Sequence, residues 1–325
     1  MLIRPELAAL RSDPAPQRRA QLRLAEVLEQ WRQTPAVAAV DADLDRYGRG
    51  AELEDLPALA ALFDCGDPAA PRLVDGLIAL LLAELGENPF GLVLLRHFTD
   101  DMTSSLLLLG RGMASLALQS VDGMGLARRA APLSVTFSPT QTTEHILSGS
   151  GEARRVRLLR ERPGGAELAL ADRPLSAGMV ISRDGSREAQ WLGRVAGSLV
   201  SLKLQRRPAS GEVLREYLLS DGSLVHQAAA SSRDSRLELT AALLGRMGRR
   251  DAAPLLAAVA EEQGSPALRW QMLRECLALD SAEGFRALSG IARQAQDPLS
   301  APAGALRAQL LEQYPALAGV QPCPA

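Results

Sequence analysis

The sequence predicts an α+β chain with a helical N-terminal segment, a central antiparallel β domain of sandwich or barrel type, and C-terminal helical hairpins. Three observations carry that expectation. Apolar residues recur at helical spacing up to about Asn88. From about Gly91 to Ser231 they fall in short runs of period two, separated by turn signals. From about Arg233 the helical period returns. The predicted boundaries are 1–90 for the helical segment, 91–231 for the β domain and 232–325 for the C-terminal helices.

In the first segment, Asp13-Pro14 is a helix start, and Leu24, Val27, Leu28 and Trp31 follow at i, i+3, i+4 and i+7. One apolar stripe therefore runs to about Gln33. Asp55 with Pro57 opens a short helix through Phe63. Asp67-Pro68 opens another, closed by Gly86 and by Asn88-Pro89. That helix is apolar almost all round, which predicts packing on several sides. The segment carries 9 Arg against 15 acids, net −6.

In the β region, strand-like runs are Leu106 to Leu109, Ala114-Leu116-Leu118, Val135-Phe137, Val156-Leu158, Leu168-Leu170 and Leu199 to Leu204. Asp122-Gly123, Asp184-Gly185 and Asp221-Gly222 predict hairpin turns, because Asp-Gly supplies the positive φ such turns need. The clearest hairpin joins Leu214–Leu219 to the run from Leu224. Here 17 basic residues face 13 acids, net +4. Acidic helices packed on this basic region would form a mainly hydrophobic contact with Arg–carboxylate pairs at its rim.

The C-terminal helices contain an internal repeat. A shift of 29 residues superposes Leu239, Leu243, Leu244 and Met247 on Leu268, Met272, Leu273 and Cys276, and Asp251, Leu256 and Val259 on Asp280, Phe285 and Leu288. Both Asp residues fit as N-caps, and Glu283 would complete a capping box with Asp280. These hairpins resemble HEAT-type repeats, though shorter than that family's unit. Ala303 to Glu312 would close the array, with a fraying tail after Ala318.

Composition narrows the function classes. At 325 residues, 47% hydrophobic and 23% charged, the chain can build a real core. A net charge of −2 and 3% aromatics give no footprint for a nucleic-acid partner. Cys65, Cys276 and Cys323 show no CxxC spacing, which argues against thiolate zinc and disulfide frameworks and fits a cytoplasmic protein. Met1 to Arg23 carries Arg4, Glu6, Arg11 and Asp13, so no secretory leader is expected. The apolar run Leu73–Leu85 contains Asp75 and Glu84 and reads as a buried helix rather than a membrane span. Basic residues are 35 Arg and one lysine, Lys203. Schiff-base or P-loop chemistry would rest on that residue alone, and its alternating strand without a Gly-rich loop predicts neither. Gly149-Ser150-Gly151 is no nucleophile elbow, and no catalytic residue is assigned.

Two groups remain as site candidates. The three histidines, His97, His145 and His226, all lie in the β region and could together bind a divalent metal such as Fe, Ni, Mn or Zn. Arg155 and Arg157 share one strand face and could form an anion or acidic-partner surface; the alternative is a face neutralised by the acidic helices. The stretch Ser134-Val-Thr-Phe-Ser-Pro139 followed by Glu144-His145, with Leu175-Ser-Ala-Gly178-Met-Val-Ile181 leading into Arg183-Asp184-Gly185, resembles the cupin superfamily. That resemblance implies a jelly-roll barrel and, where its metal site is kept, an oxygenase or isomerase. The sequence departs from it at the ligands. There is no HxH pair, and Arg187, Glu188 and Gln190 stand where a later His is expected. The leading expectation is therefore a non-catalytic cytoplasmic binding or scaffold protein, with a protein partner or self-association and no nucleic acid or membrane. The other is a metal-dependent cupin-type enzyme.

Overall fold

A computed structural model describes residues 13–207, 213–229 and 231–320. The readings of the segment before Asp13, of Cys323 and of the end of the tail lie outside those residues. The order of elements is helical, then β, then helical. Contacts divide the described residues into two compact units. The first takes those up to Val135, Thr140–Arg207 and Leu219–Gly222, and the second takes the rest.

Among the described residues the first unit opens with helices α1 (Ala15–Gln33), α2 (Pro35–Gly48), the one-turn α3 (Pro57–Ala60) and α4 (Ala69–Glu87). Asp13 and Asp67 each accept a hydrogen bond from the amide two residues on, at 2.9 Å or less, which satisfies first-turn donors of α1 and α4. The sequence signals missed α2, although Val37, Val40, Leu44 and Tyr47 form its buried stripe. α3 has no side-chain cap of its own. Instead Asp43 of α2 accepts from the amides of Ala58 at 2.9 Å and Leu59 at 3.2 Å. α4 corrects the expectation of packing on several sides. Leu73, Val74, Leu77 and Leu81 are buried, whereas Ile78, Leu80 and Leu82 are exposed.

The β domain is built from β1 (His97–Thr99), β2 (Thr103–Arg111), β3 (Ala114–Asp122), β4 (Ser134–Phe137), β5 (Gln141–Arg162), β6 (Gly165–Ser176), β7 (Val180–Asp184), β8 (Glu188–Arg206), β9 (Val213–Leu218) and β10 (Leu224–Ala229). The main sheet runs β1-β2-β3-β8-β5-β6, with β7 also paired to β5, and all its pairings are antiparallel. A second sheet has the order β10-β9-β4.

Register shows that the main sheet is curled. Asp184 at the end of β7 lies opposite Gln141, and Glu188 at the start of β8 lies opposite Arg157. Four peptide links join Asp184 to Glu188, a reach of about 15 Å. A straight strand from Gln141 to Arg157 would span about 53 Å. β5 must therefore bend back on itself. It does so through register shifts between Ile146 and Ala153, next to Gly149 at φ +91°. A side chain at Gly149 would meet the Ser198 carbonyl oxygen at 2.1 Å, so only glycine fits that bend.

The three Asp-Gly pairs divide. Asp221-Gly222 does turn a hairpin between β9 and β10, with Gly222 at φ +73°. Asp184-Gly185 is instead the corner just described. Asp122 accepts from the Gly125 amide at 2.7 Å and caps the short α5 (Gly123–Ala127), so that pair starts a helix rather than a hairpin.

The two faces of the main sheet differ. One carries Leu116, Leu202 and Leu204, each fully buried, in a single core with Leu24, Leu28, Leu44, Leu56, Leu59 and Leu77 of the N-terminal helices. Around that core, Arg111 pairs with Asp41 at 2.5 and 2.9 Å. Arg206 stacks 4.3 Å over the Tyr47 ring and donates to the Ala51 carbonyl at 2.7 Å. The contact is chiefly apolar with arginines at its edge. The opposite face is concave and holds a smaller core of Val121, Ile146, Ala153, Leu175, Ile181, Val195 and Leu199.

The second unit contains α6 (Ser232–Arg246), α7 (Ala253–Glu261), α8 (Pro266–Leu279), α9 (Ser281–Arg293) and α10 (Ser300–Gln313). Its core is Leu256, Ala260, Leu268, Met272, Leu273, Cys276, Phe285, Leu288 and Ile291 with their neighbours. The 29-residue superposition does not carry over into burial for the first helix of each hairpin. Leu268, Met272 and Cys276 are buried on α8, while their counterparts Leu239 and Leu243 on α6 and Met247 just after it are exposed. Asp280 caps α9 by accepting from Ala282 and Glu283 at 3.0 Å. Asp251 does not cap α7; it pairs with Arg249 at 2.7 Å in a preceding 3-10 turn. Glu283 turns to Arg286 at 2.5 Å. An interior ion pair, Arg269–Asp297 at 2.5 Å, ties α8 to the loop before α10, and both side chains are 7% exposed.

Candidate functional site

Alternation along paired strands decides which side chains share the concave face. Ser201, Lys203 and Gln205 of β8 lie opposite Ile146, Glu144 and Thr142 of β5, and Arg183 of β7 lies opposite Thr142. Ile146 belongs to the concave core, so Glu144, Lys203, Ser201, Gln205, Thr142 and Arg183 point to the same side. Beyond the bend, Ala153 is in that core as well, which places Arg155 and Arg157 of β5, Glu188 and Gln190 of β8 and Arg173 of β6 on this face. The curl of β5 turns the two groups towards each other: Arg183 feels the charges of Glu144, Arg173 and Glu188 together.

Glu144 is the hub of the first group. Its carboxylate accepts from Ser201 Oγ at 2.8 Å and lies 3.6 Å from Arg183 Nη1. Both charged side chains of that pair are nearly out of solvent, at 13% and 12% exposed. Burial lowers the Arg183 pKa from its ordinary value, partly offset by Glu144. Burial also pushes the Lys203 ammonium down, with Glu144 opposing and Arg183 reinforcing the shift. Glu144 is thus the charge that favours the Lys203 ammonium form here. In the second group Glu188 is paired with Arg155, and Arg157 Nε lies 3.7 Å away. Arg155 Nε and Gln190 Oε1, on directly opposed residues, are buried without any partner. Most buried polar atoms are satisfied, so a donor and an acceptor left open side by side are an invitation to a ligand or to water.

Among the described residues the histidines do not form one centre. His97 is exposed on β1, and its Nδ1 is 3.4 Å from the Leu95 carbonyl. His145 is buried on the helix-covered face, opposite in direction to Glu144, and its Nδ1 lies 2.8 Å from the Leu62 carbonyl oxygen. His226 is exposed on β10 in the second unit. No group of three His, Cys, Asp or Glu side chains among the described residues could hold a metal ion. The donor set on the concave face is two carboxylates amid five cations, which does not fit a divalent metal. This corrects the three-histidine expectation, and the reason is register: one residue along β5 separates the two faces.

Arg155 and Arg157 do share a face, and the structure places them beside Glu188 rather than against the acidic helices. Sequence reasoning missed Glu144, Arg173, Arg183, Gln190 and Lys203 as companions. A signal existed in the charged residues recurring within otherwise apolar alternation, but only the register unites them. Cys276 is buried, donates to the Ala253 carbonyl at 3.3 Å, and is pushed up to about 11 by burial. In the second unit a groove of about 700 Å³ is lined by Trp270, Leu306, Leu310 and Tyr314, with Arg274 on its wall. No helix among the described residues is long and apolar enough to cross a membrane.

No protein-family model and no curated protein matches the chain. Solved structures similar to part of it include an ectoine synthase from P. lautus at 16% identity and TM-score 0.23, covering 34% of this chain and 69% of that one. The 7S globulin of Momordica charantia is similar at 14% identity and TM-score 0.26, covering 40% and 37% of the two chains. The capsular polysaccharide assembling protein CapF from Staphylococcus aureus is similar at 10% identity and TM-score 0.27, covering 40% and 33%. The match thus spans less than half the length of the latter two. All three TM-scores lie below 0.5, so the account of this fold rests on its own strand pairing.

Proposed function

We propose that the chain is a metal-independent binding protein whose curled β sheet takes up a small anionic ligand on its concave face. The observation that carries this reading is one interior surface bearing Arg155, Arg173, Arg183 and Lys203 against two carboxylates, with Arg155 Nε and Gln190 Oε1 left open. Guanidinium groups suit carboxylate and phosphate because their donors match both oxygens at once. The open Gln190 oxygen adds a preference for a ligand that also carries a hydroxyl or N–H donor. This reading keeps the cup suggested by the cupin resemblance and leaves out its metal.

Calorimetry of the intact protein with small mono- and dicarboxylates and with phosphate tests it. One anion per chain is expected to bind, with at least ten-fold weaker binding in Arg183→Met. Arg154→Met serves as control, because Arg154 pairs with Asp172 at 2.7 Å on the exposed outer side. Absence of binding across the set overturns the reading. So does stoichiometric Fe, Ni, Mn or Zn in untagged protein that vanishes in His145→Ala.

A further inference from the structure

The chain uses arginine for 35 of its 36 basic residues, and its single lysine is the one that points into the concave face. A guanidinium stays protonated and cannot act as a nucleophile, whereas an amine taken out of water can release its proton and attack a carbonyl. Lys203 has the surroundings such an amine needs. Glu144 stands directly opposite on β5 and is held in place by Ser201 and Arg183, so the carboxylate is fixed while the amine is largely out of water. Arg183 approaches the same carboxylate from β7, on the other side of β5. A guanidinium and a buried amine therefore flank one carboxylate, each within a side chain's length of it.

We propose that Lys203 captures a small 2-oxo acid as an imine, with Arg183 holding the ligand's carboxylate; this rests on the anion-binding reading above. A carbonyl carbon bonded directly to a carboxylate is the ligand that meets both groups at once. Lys203 Nζ, as the free amine, adds its lone pair to that carbon, and Glu144 carries one nitrogen proton to the former carbonyl oxygen to give a carbinolamine. Glu144 then takes the second nitrogen proton and delivers it to the hydroxyl, which leaves as water when the C–O bond breaks. Amine and ketone thus become imine and one water, with no oxidant or reductant, and hydrolysis reverses the step. The ligand is bound reversibly through a covalent bond.

The test uses the full chain, in which Lys203 is the sole lysine, so side-chain labelling has one possible site. The protein is incubated with pyruvate or glyoxylate, treated with cyanoborohydride to trap any imine, and read by intact mass and peptide mapping. One reduced adduct on the peptide holding Lys203 is expected, absent in Lys203→Arg and strongly reduced in Arg183→Met. Propionate, which has the carboxylate but no ketone, is expected to bind and to suppress labelling without forming an adduct. Propionate binding without any trapped adduct overturns the imine and leaves the anion site standing. No binding and no adduct, in protein folded by circular dichroism, overturns both. Labelling of the chain's α-amino group to the same extent as Lys203 also overturns the proposal, since it shows the lysine is no more reactive than a solvated amine.

Discussion

An ammonium withdrawn from water is costly unless a partner meets it, and Lys203 is largely withdrawn with only a partial offset from Glu144. Replacing it with an apolar side chain of similar length should therefore stabilise the fold. Lys203→Met is expected to raise unfolding free energy at pH 7 by roughly 1 kcal/mol in urea titrations. The sign with pH follows from burial lowering the amine below its ordinary value of 10.5. Between that lowered value and 10.5, the folded chain holds fewer protons than the unfolded chain, so wild-type stability rises with pH. The advantage of Lys203→Met should accordingly shrink as pH climbs through that window. An advantage that grew with pH would mean the ammonium is stabilised where it lies. Sequence placed Lys203 in a strand, but which face of the sheet it occupies follows only from its register with β5, and the absence of a Gly-rich loop says nothing about that. His145 failed for the same reason: the carbonyl beside its ring belongs to Leu62, 83 positions away, and no local pattern contains that distance.

Among the elements, α6 and α8 make the sharpest comparison. The 29-residue shift predicts equal burial for Leu239 and Leu268, yet the first is 70% exposed and the second 3%. Leu268→Ala is expected to cost about 2–5 kcal/mol by thermal or urea unfolding. Leu239→Ala should fall within about 0.5 kcal/mol of wild type. Equal losses would restore the repeat. The difference arises because residue spacing fixes which positions share a stripe, while burial depends on whether a neighbour covers that stripe. α8 is covered by both α7 and α9. The same gap explains the exposed leucines of α4. α2 is the converse case: its stripe of Val37, Val40, Leu44 and Tyr47 stands in the sequence at helical spacing, interleaved with aspartates at 41, 43 and 45. One of those aspartates, Asp43, is spent on capping α3, a role visible only once the two helices are packed. Strand existence was largely legible from period two; the bend in β5, which creates the concave face, was not, since it depends on pairings more than 30 residues apart.

At the scale of the molecule, the N-terminal helices are the cover of one sheet face. Deleting residues 1–88 uncovers Leu116, Leu202 and Leu204 and frees Arg111 and Arg206 from their helix-side partners. The truncated protein is expected to bind a hydrophobic dye, to self-associate in sedimentation, and to gain affinity for heparin. A stable, dye-silent monomer would show that the sheet does not need its cover. Net −6 beside net +4 was the sequence ground for expecting acidic helices against a basic β region; the contact itself is made chiefly by leucines, with Arg111–Asp41 at its edge. The same arrangement imposes a schedule on synthesis. Leu24 through Leu81 leave the ribosome roughly 120 residues ahead of Leu202 and Leu204, which at 5–20 residues per second is about 6–25 s. For that interval the nascent helices can pack on one another and on Leu108, Leu109 and Leu116, while the part of the stripe that Leu202 and Leu204 cover stays open. Ribosome-bound chains arrested just short of Leu202 are thus expected to bind a hydrophobic dye more strongly than chains arrested well past Arg206.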